Sequence, residues 1–223
     1  YKHALPAFGP MPVASITKRD VNRLIDKIVD AGSPIAANRV LAFTKRFFSW
    51  CKERDILELS PAEAIRAPSK EKTRDRVLTL EEMKKFWVAC DQISYPWGPI
   101  FQLLLLTGAR LREVAQASWD EISIVDRTLD LPARRTKNGR SHQIQLSVQA
   151  MNIIQALPKV EGQGLLFTTN RTTAVSGFSK VKRRLDIMSG VSDWRYHDLR
   201  RSFATHSTER LGISPVIADK ILN

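Results

Sequence analysis

Residues 103–122, LLLLTGARLREVAQASWDEI, hold the point at which the chain changes character. A strongly apolar helical pattern runs from about Trp97 to Leu106 and is broken at Gly108. Arg110 therefore opens a new turn rather than lying on a long exposed face. Glu113 follows three residues later, close enough to hold the guanidinium. A solvated arginine with a local ion pair would explain that much by itself. After Trp119 the apolar period falls to two: Ile122 and Ile124 alternate with polar residues, as do Leu129 and Leu131, then Ile144 and Leu146. That alternation is the strand period. Asn138-Gly139 predicts a tight primed hairpin turn, which requires positive φ at both residues. The expectation is a small three-stranded antiparallel sheet with Lys137 at a turn.

Outward from this segment the chain reads as helix. Thr79 and Glu82 form a capping box for a helix through Cys90. Upstream, Thr17 to Asp20 is a helix-start signature, followed by Val21, Leu24, Ile25, Ile28 and Val29 at helical spacing, with Gly32 as the stop. Ser33-Pro34 opens a further helix, whose apolar stripe reads as Ala36, Val40, Phe43, Phe47, Trp50 and Cys51. Ser60-Pro61 predicts a short third helix. Residues 67–76, APSKEKTRDR, are polar and charged, the composition of a linker. Helical patterns return from Ser147 onward, interrupted by a brief extended stretch at Leu165–Phe167. The predicted division is a helical domain over 1–68, a linker over 69–77 and a second, mostly helical domain with the small sheet over 78–223.

Thirty-five basic against 23 acidic side chains give a net charge of +12, and both halves of the chain are basic. Such charge decorates a surface and attracts polyanions, nucleic acid above all. Cys51 and Cys90 sit inside apolar patterns and read as reduced core residues. No apolar run reaches membrane-spanning length. The chain opens on Tyr1 in a proline-rich stretch and stops at Asn223 within a helical pattern, so both ends read as cuts in a longer protein.

Four basic residues carry chemical interest. Arg110 and Lys137 have been named. His197 and Arg200 stand i, i+3 in WRYHDLRRSFATH (194–206), on one helical face with Cβ atoms roughly 5–6 Å apart. Two donors so placed suit a phosphate or a carboxylate, although a surface helix of mixed charge has the same pattern. Metal chemistry has little support: His142, His197 and His206 are scattered and no carboxylate cluster has two-metal spacing. A phosphate-cradling glycine loop and a nucleophile-elbow signal are also absent.

In order, LLLLTGARLREVAQASWDEI, RTKNGRSHQIQLS (135–147) and RYHDLRRSFATH (195–206) resemble the tyrosine recombinases, the phage-integrase family. Residues 37–62, ANRVLAFTKRFFSWCKERDILELSPA, are similar to the core-binding domain of prophage and genomic-island integrases. The resemblance implies a mainly α fold: a SAM-like helical core-binding domain and a catalytic domain with a small antiparallel sheet, closing as a clamp around duplex DNA. It implies metal-free, cofactor-free strand transfer through a phosphotyrosine. By that likeness Arg110 and Arg200 match the family's two arginines, Lys137 the general acid and His197 the phosphate-positioning histidine. Glu113 matches the acid that supports the first arginine. The family's further His or Trp and its nucleophilic tyrosine would fall after ADKILN (218–223), so the chain as given is expected to bind DNA without cutting it. Asn38, Arg39 and Lys45 are candidate DNA contacts. Expected partners are double-stranded attachment sites, further copies of the protein, as a tetramer in the synaptic complex, and accessory bending or directionality proteins. The expected location is the bacterial cytoplasm, on the nucleoid. The competing reading is a DNA-binding protein without chemistry on a degenerate integrase fold.

Overall fold

The structure is a computed structural model that describes residues 2–71, 73–159 and 162–222. Tyr1 and Asn223, on which the reading of the chain ends rests, and Lys72 of the predicted linker lie outside the described residues. The chain divides into two compact units, Tyr1–Arg74 and Asp75–Asn223.

The first unit contains α1 (Ala4–Phe8), α2 (Lys18–Asp30) and α3 (Pro34–Glu53). Thr17 caps α2 as predicted: its hydroxyl accepts the Asp20 N–H while Asp20 accepts the Thr17 N–H. Val21, Leu24, Ile25 and Ile28 then form the buried face of α2. The buried face of α3 is Ala37, Leu41, Thr44, Phe48 and Cys51; of the predicted stripe Cys51 is buried and Ala36 and Val40 pack partly against the core, while the aromatics do not. Phe43, Phe47 and Trp50 are exposed, at 77%, 49% and 43%. The inward row passes through a small and a polar residue, and the Thr44 hydroxyl is satisfied by donating to Val40 O at 2.8 Å. The predicted third helix is also corrected. Ser60-Pro61 opens only turns, although Ala62 and Ile65 still reach the core of this unit.

The second unit begins with α4 (Leu80–Asp91), α5 (Trp97–Thr107) and the single-turn α6 (Leu111–Ala115). The sheet follows: β1 (Ile122–Ser123), β2 (Thr128–Leu131) and β3 (His142–Gln145), antiparallel in the order β1-β2-β3. Then come α7 (Val148–Gln155), α8 (Phe178–Ser189), α9 (Tyr196–Leu211) and α10 (Pro215–Leu222). The apolar α5 is the centre of this unit, and Phe86, Phe101, Leu104, Leu166, Phe167, Leu185 and Trp194 are fully buried about it. No helix among the described residues is long and apolar enough to cross a membrane.

The β2–β3 connection runs from Pro132 to Ser141 and is not the predicted two-residue hairpin. Gly139 has φ +69, but Asn138 does not adopt a positive φ. Instead, Asn138 Oδ1 accepts the Arg140 N–H at 3.1 Å, a side-chain turn in place of a left-handed backbone. The Thr136 hydroxyl lies 2.6 Å from Arg140 O and closes the loop. The short turn is the one between β1 and β2, where Arg127 takes φ +54.

Candidate active site

Gly108 ends α5 in the left-handed region, with φ +64, and a Cβ there would meet Leu222 and the Phe203 ring at under 3 Å. Glycine therefore permits both the turn and the close approach of α9 and α10. Two residues on, Arg110 is the N-cap of α6. Glu113, 3% exposed, accepts the Arg110 N–H at 2.8 Å with one oxygen and its guanidinium at 2.7 Å with the other. One buried carboxylate thus caps the helix and orients the arginine. The same device opens α9. Asp198 is buried, accepts the Arg195 N–H at 2.8 Å and binds Arg201 at 2.7 Å.

On α9, Arg200 reaches back to the same corner. Its guanidinium donates to Gly108 O at 3.1 Å and to Leu222 O at the end of α10. Burial, and then the Arg110 charge, pulls the Arg200 guanidinium below its ordinary pKa, with Glu113 and Asp219 opposing. Burial, then the Arg200 and Arg201 charges, with a smaller push from Arg110, lowers His197; Asp198 acts the other way. The imidazole is therefore biased toward its neutral form. Arg110, His197 and Arg200 are electrostatically coupled around the Gly108 corner.

Lys137 stands exposed in the β2–β3 connection. Its loop is nevertheless tethered. Arg135, two residues earlier, donates to Glu113 O at 2.9 Å and Arg112 O at 3.2 Å and pairs with Glu121. His142 at the start of β3 contacts Ile221 O at 3.1 Å. Sequence reasoning passed over Arg135, since nothing in RTKNGR distinguishes it from its basic neighbours.

The hydroxyls of the two described tyrosines, Tyr95 and Tyr196, are committed elsewhere. Tyr196 donates to Phe178 O at 2.7 Å, and burial with the nearby Asp186 charge pushes its pKa up to about 12. Tyr95 donates to Leu166 O at 3.0 Å and accepts the Thr168 N–H. In the first unit Arg39 is exposed and Lys45 half-buried. The Asn38 amide is occupied, donating to Ser69 O at 2.7 Å and accepting the Ser69 N–H. Among the described residues no three His, Cys, Asp or Glu gather as a metal-binding group.

Chemically, the corner offers two planar cations and an imidazole biased toward its neutral form. That arrangement fits the non-bridging oxygens of a phosphodiester.

Comparison with known proteins bears on this arrangement. The family described as "Phage integrase family" matches residues 76–222, and "Phage integrase central domain" matches residues 1–68. The shufflon-specific DNA recombinase of Escherichia coli is 30% identical over 216 residues, 93% of this chain and 54% of its own length. Prophage integrase IntZ of Escherichia coli K12 is 26% identical over 157 residues, 69% of this chain and 39% of its own. The chain thus spans about half or less of the length of these curated relatives. A lambda integrase dimer bound to a COC′ core site superposes with a TM-score of 0.78 at 20% identity, covering 100% of this chain and 84% of that one. The Tn1549 transposon integrase in complex with circular intermediate DNA gives 0.71 at 15% identity, covering 96% and 79%. At these identities the likeness is one of fold: mostly helical, with a small three-stranded antiparallel sheet. With both family descriptions matched in order and the arginine corner inside the longer match, the chain belongs to the phage integrase family.

Proposed function

We propose that this chain is the DNA-holding and phosphate-activating part of a tyrosine-type site-specific recombinase. The observation that carries the reading is the convergence of Arg110 and Arg200 on the Gly108 corner, with His197 coupled to both. Fixed positive charge aimed at the non-bridging oxygens stabilises the pentacoordinate phosphorane more than the ground-state diester. A tyrosine oxygen forms the new bond to phosphorus and the P–O5′ bond breaks, so the energy of the diester is kept in the protein–DNA link. His197, held neutral, takes the nucleophile's proton. Lys137 on its tethered loop gives a proton to the departing 5′-oxygen. Glu113 keeps Arg110 in place.

We assign the nucleophile to a segment outside this chain. Tyr95 and Tyr196 spend their hydroxyls on backbone carbonyls, and Tyr1 lies outside the described residues. In this reading residues 1–223 bind DNA without cutting it. Of the candidate DNA contacts, exposed Arg39 is the best available, Lys45 is half-buried, and Asn38 acts by ordering the Ser69 segment. In this reading the first unit, Tyr1–Arg74, and the second, Asp75–Asn223, both bind one duplex, with a DNA attachment site as substrate and further copies assembling on it. The likeness to a shufflon-specific recombinase, to a prophage integrase and to the fold of a lambda integrase tetramer on a Holliday junction supports mobile-element recombination; the expected location is the bacterial cytoplasm. Accessory bending or directionality proteins would act on the same DNA.

The test is a suicide substrate carrying a nick at the attachment site, offered to the protein extended through its encoded C-terminal residues. The expected result is a covalent protein–DNA adduct on a denaturing gel, formed in EDTA and lost on Arg110→Ala. A cognate site that is bound but yields no adduct would favour a binding protein without chemistry.

A further inference from the structure

The catalytic helix α9 is held from behind by the backbone of a single residue. Leu78, fully buried just after the unit boundary at Arg74, donates its N–H to the Ser202 hydroxyl at 2.8 Å. Its carbonyl accepts from His206 Nε2 at 2.7 Å. The Ser202 hydroxyl in turn donates to Asp198 O at 2.7 Å, so both of its capacities are used. At 3.6 residues per turn, His197, Arg200 and Ala204 share one face of α9, and Asp198, Ser202 and His206 share the face roughly opposite. The helix thus carries its phosphate-binding pair in front and its brace behind.

The brace is itself anchored. Arg76, two residues before Leu78, bonds Glu82 at the start of α4 and Asp193 O in the turn that leads into α9. Leu78 therefore sits between an anchored arginine and the Thr79–Glu82 cap. A residue fixed on both sides and bonded through both its N–H and its carbonyl resists both rotation and sliding of the helix it grips. Either motion would move Arg200 relative to Gly108 O, to which it is bonded at 3.1 Å. The Nδ1 of His206 is buried, with no bonding partner among the described residues. An unpaired buried nitrogen is a cost, offset if the ring is retained for the Nε2 contact.

We infer that Ser202 and His206 are positioning residues for the recombination chemistry, acting through the Leu78 backbone to fix the setting of α9 and with it Arg200 and His197. Neither side chain is offered to DNA in this role. The inference rests on the proposed strand-transfer function for its consequence and on the geometry of α9 alone for its existence.

Two arms test it. In the 223-residue chain, the Arg200 Nε–Hε resonance, assigned through Arg200→Lys, is compared among wild type, His206→Ala, His206→Gln and Ser202→Ala. Glutamine retains an N–H donor at about the reach of Nε2. The expected result is a shifted Arg200 signal in His206→Ala and Ser202→Ala, an unmoved Arg135 signal, and return toward wild type in His206→Gln. In the protein extended to its full length, His206→Ala should slow adduct formation at saturating DNA about tenfold or more, with DNA affinity within about twofold. His206→Gln should recover most of that rate. In an Arg200→Lys background the His206→Ala change should cost little more, because coupled residues are non-additive. An unmoved Arg200 signal in a folded variant, wild-type cleavage by His206→Ala, or full additivity with Arg200→Lys overturns the inference. If His206→Ala does not fold, Ser202→Ala and His206→Gln decide by the same criteria. A wild-type protein that makes no adduct defeats the proposed function, while the resonance arm still decides the brace.

Discussion

Removing the Glu113 carboxylate should loosen the second unit by a measurable amount. Glu113→Ala deletes two bonds, to the Arg110 N–H at 2.8 Å and to its guanidinium at 2.7 Å. The first is a helix-start contact worth about 1 kcal/mol. The second is charge-assisted, worth roughly 1.5–3 kcal/mol when buried, but the Arg110 side chain is 30% exposed and water recovers part of the loss. Together they give a destabilisation of about 2–3 kcal/mol, a fall in Tm of about 5–10 °C for a domain of this size. Trp87, Trp97, Trp119 and Trp194 all lie in Asp75–Asn223. Intrinsic fluorescence during urea unfolding therefore follows chiefly this unit. Glu113→Gln, which keeps an acceptor for the backbone N–H and loses the charge, should recover about half of the loss. Wild-type stability in Glu113→Ala, within about 0.5 kcal/mol, would refute the assignment of Glu113 as the support of Arg110.

Gly108→Ala forces a side chain into a left-handed residue and against Leu222 and Phe203, and should cost about 2–3 kcal/mol by thermal melting. Phe86→Ala empties a fully buried site edge-on to Trp194 and should cost about 3–5 kcal/mol in denaturant titration. His197 should titrate below the usual imidazole value of about 6.5 by NMR, and its midpoint should rise on Arg200→Ala. Because the unfolded chain takes up that proton first, this residue's contribution to stability falls as pH drops through about 6.5 toward the folded midpoint, and is flat above. Tyr196→Phe should leave adduct formation unchanged in the full-length protein, since its hydroxyl is bonded to Phe178 O; loss of the adduct would reopen its assignment.

Local rules made much of the site readable. A glycine closing an apolar helix, an acid three residues after Arg110 and an i, i+3 pair at His197 and Arg200 are short-range features, and each stands in the structure where its spacing put it. What failed was selective. The α3 stripe was read through its aromatics, yet the buried row runs through Ala37 and Thr44, because a satisfied hydroxyl packs inward at little cost and a large ring can lie outside. The Asn138-Gly139 turn was misread because an asparagine can turn the chain with its side chain as well as its backbone. Arg135 on the α6 carbonyls and Leu78 against α9 join residues far apart in sequence, and no periodicity encodes them. The loop that carries Lys137 is anchored through Arg135 and His142.

The central claim is that Arg110 and Arg200 act on the non-bridging oxygens of one scissile phosphate. Its most direct test compares Arg200→Ala with wild type on a suicide substrate carrying either the natural diester or a methylphosphonate at that position. With the diester, loss of Arg200 should slow adduct formation by about 10²–10³. With one oxygen already neutral, the same substitution should cost less than about tenfold. An undiminished penalty on the methylphosphonate would mean that Arg200 does its work somewhere other than that phosphate, and the account would fail.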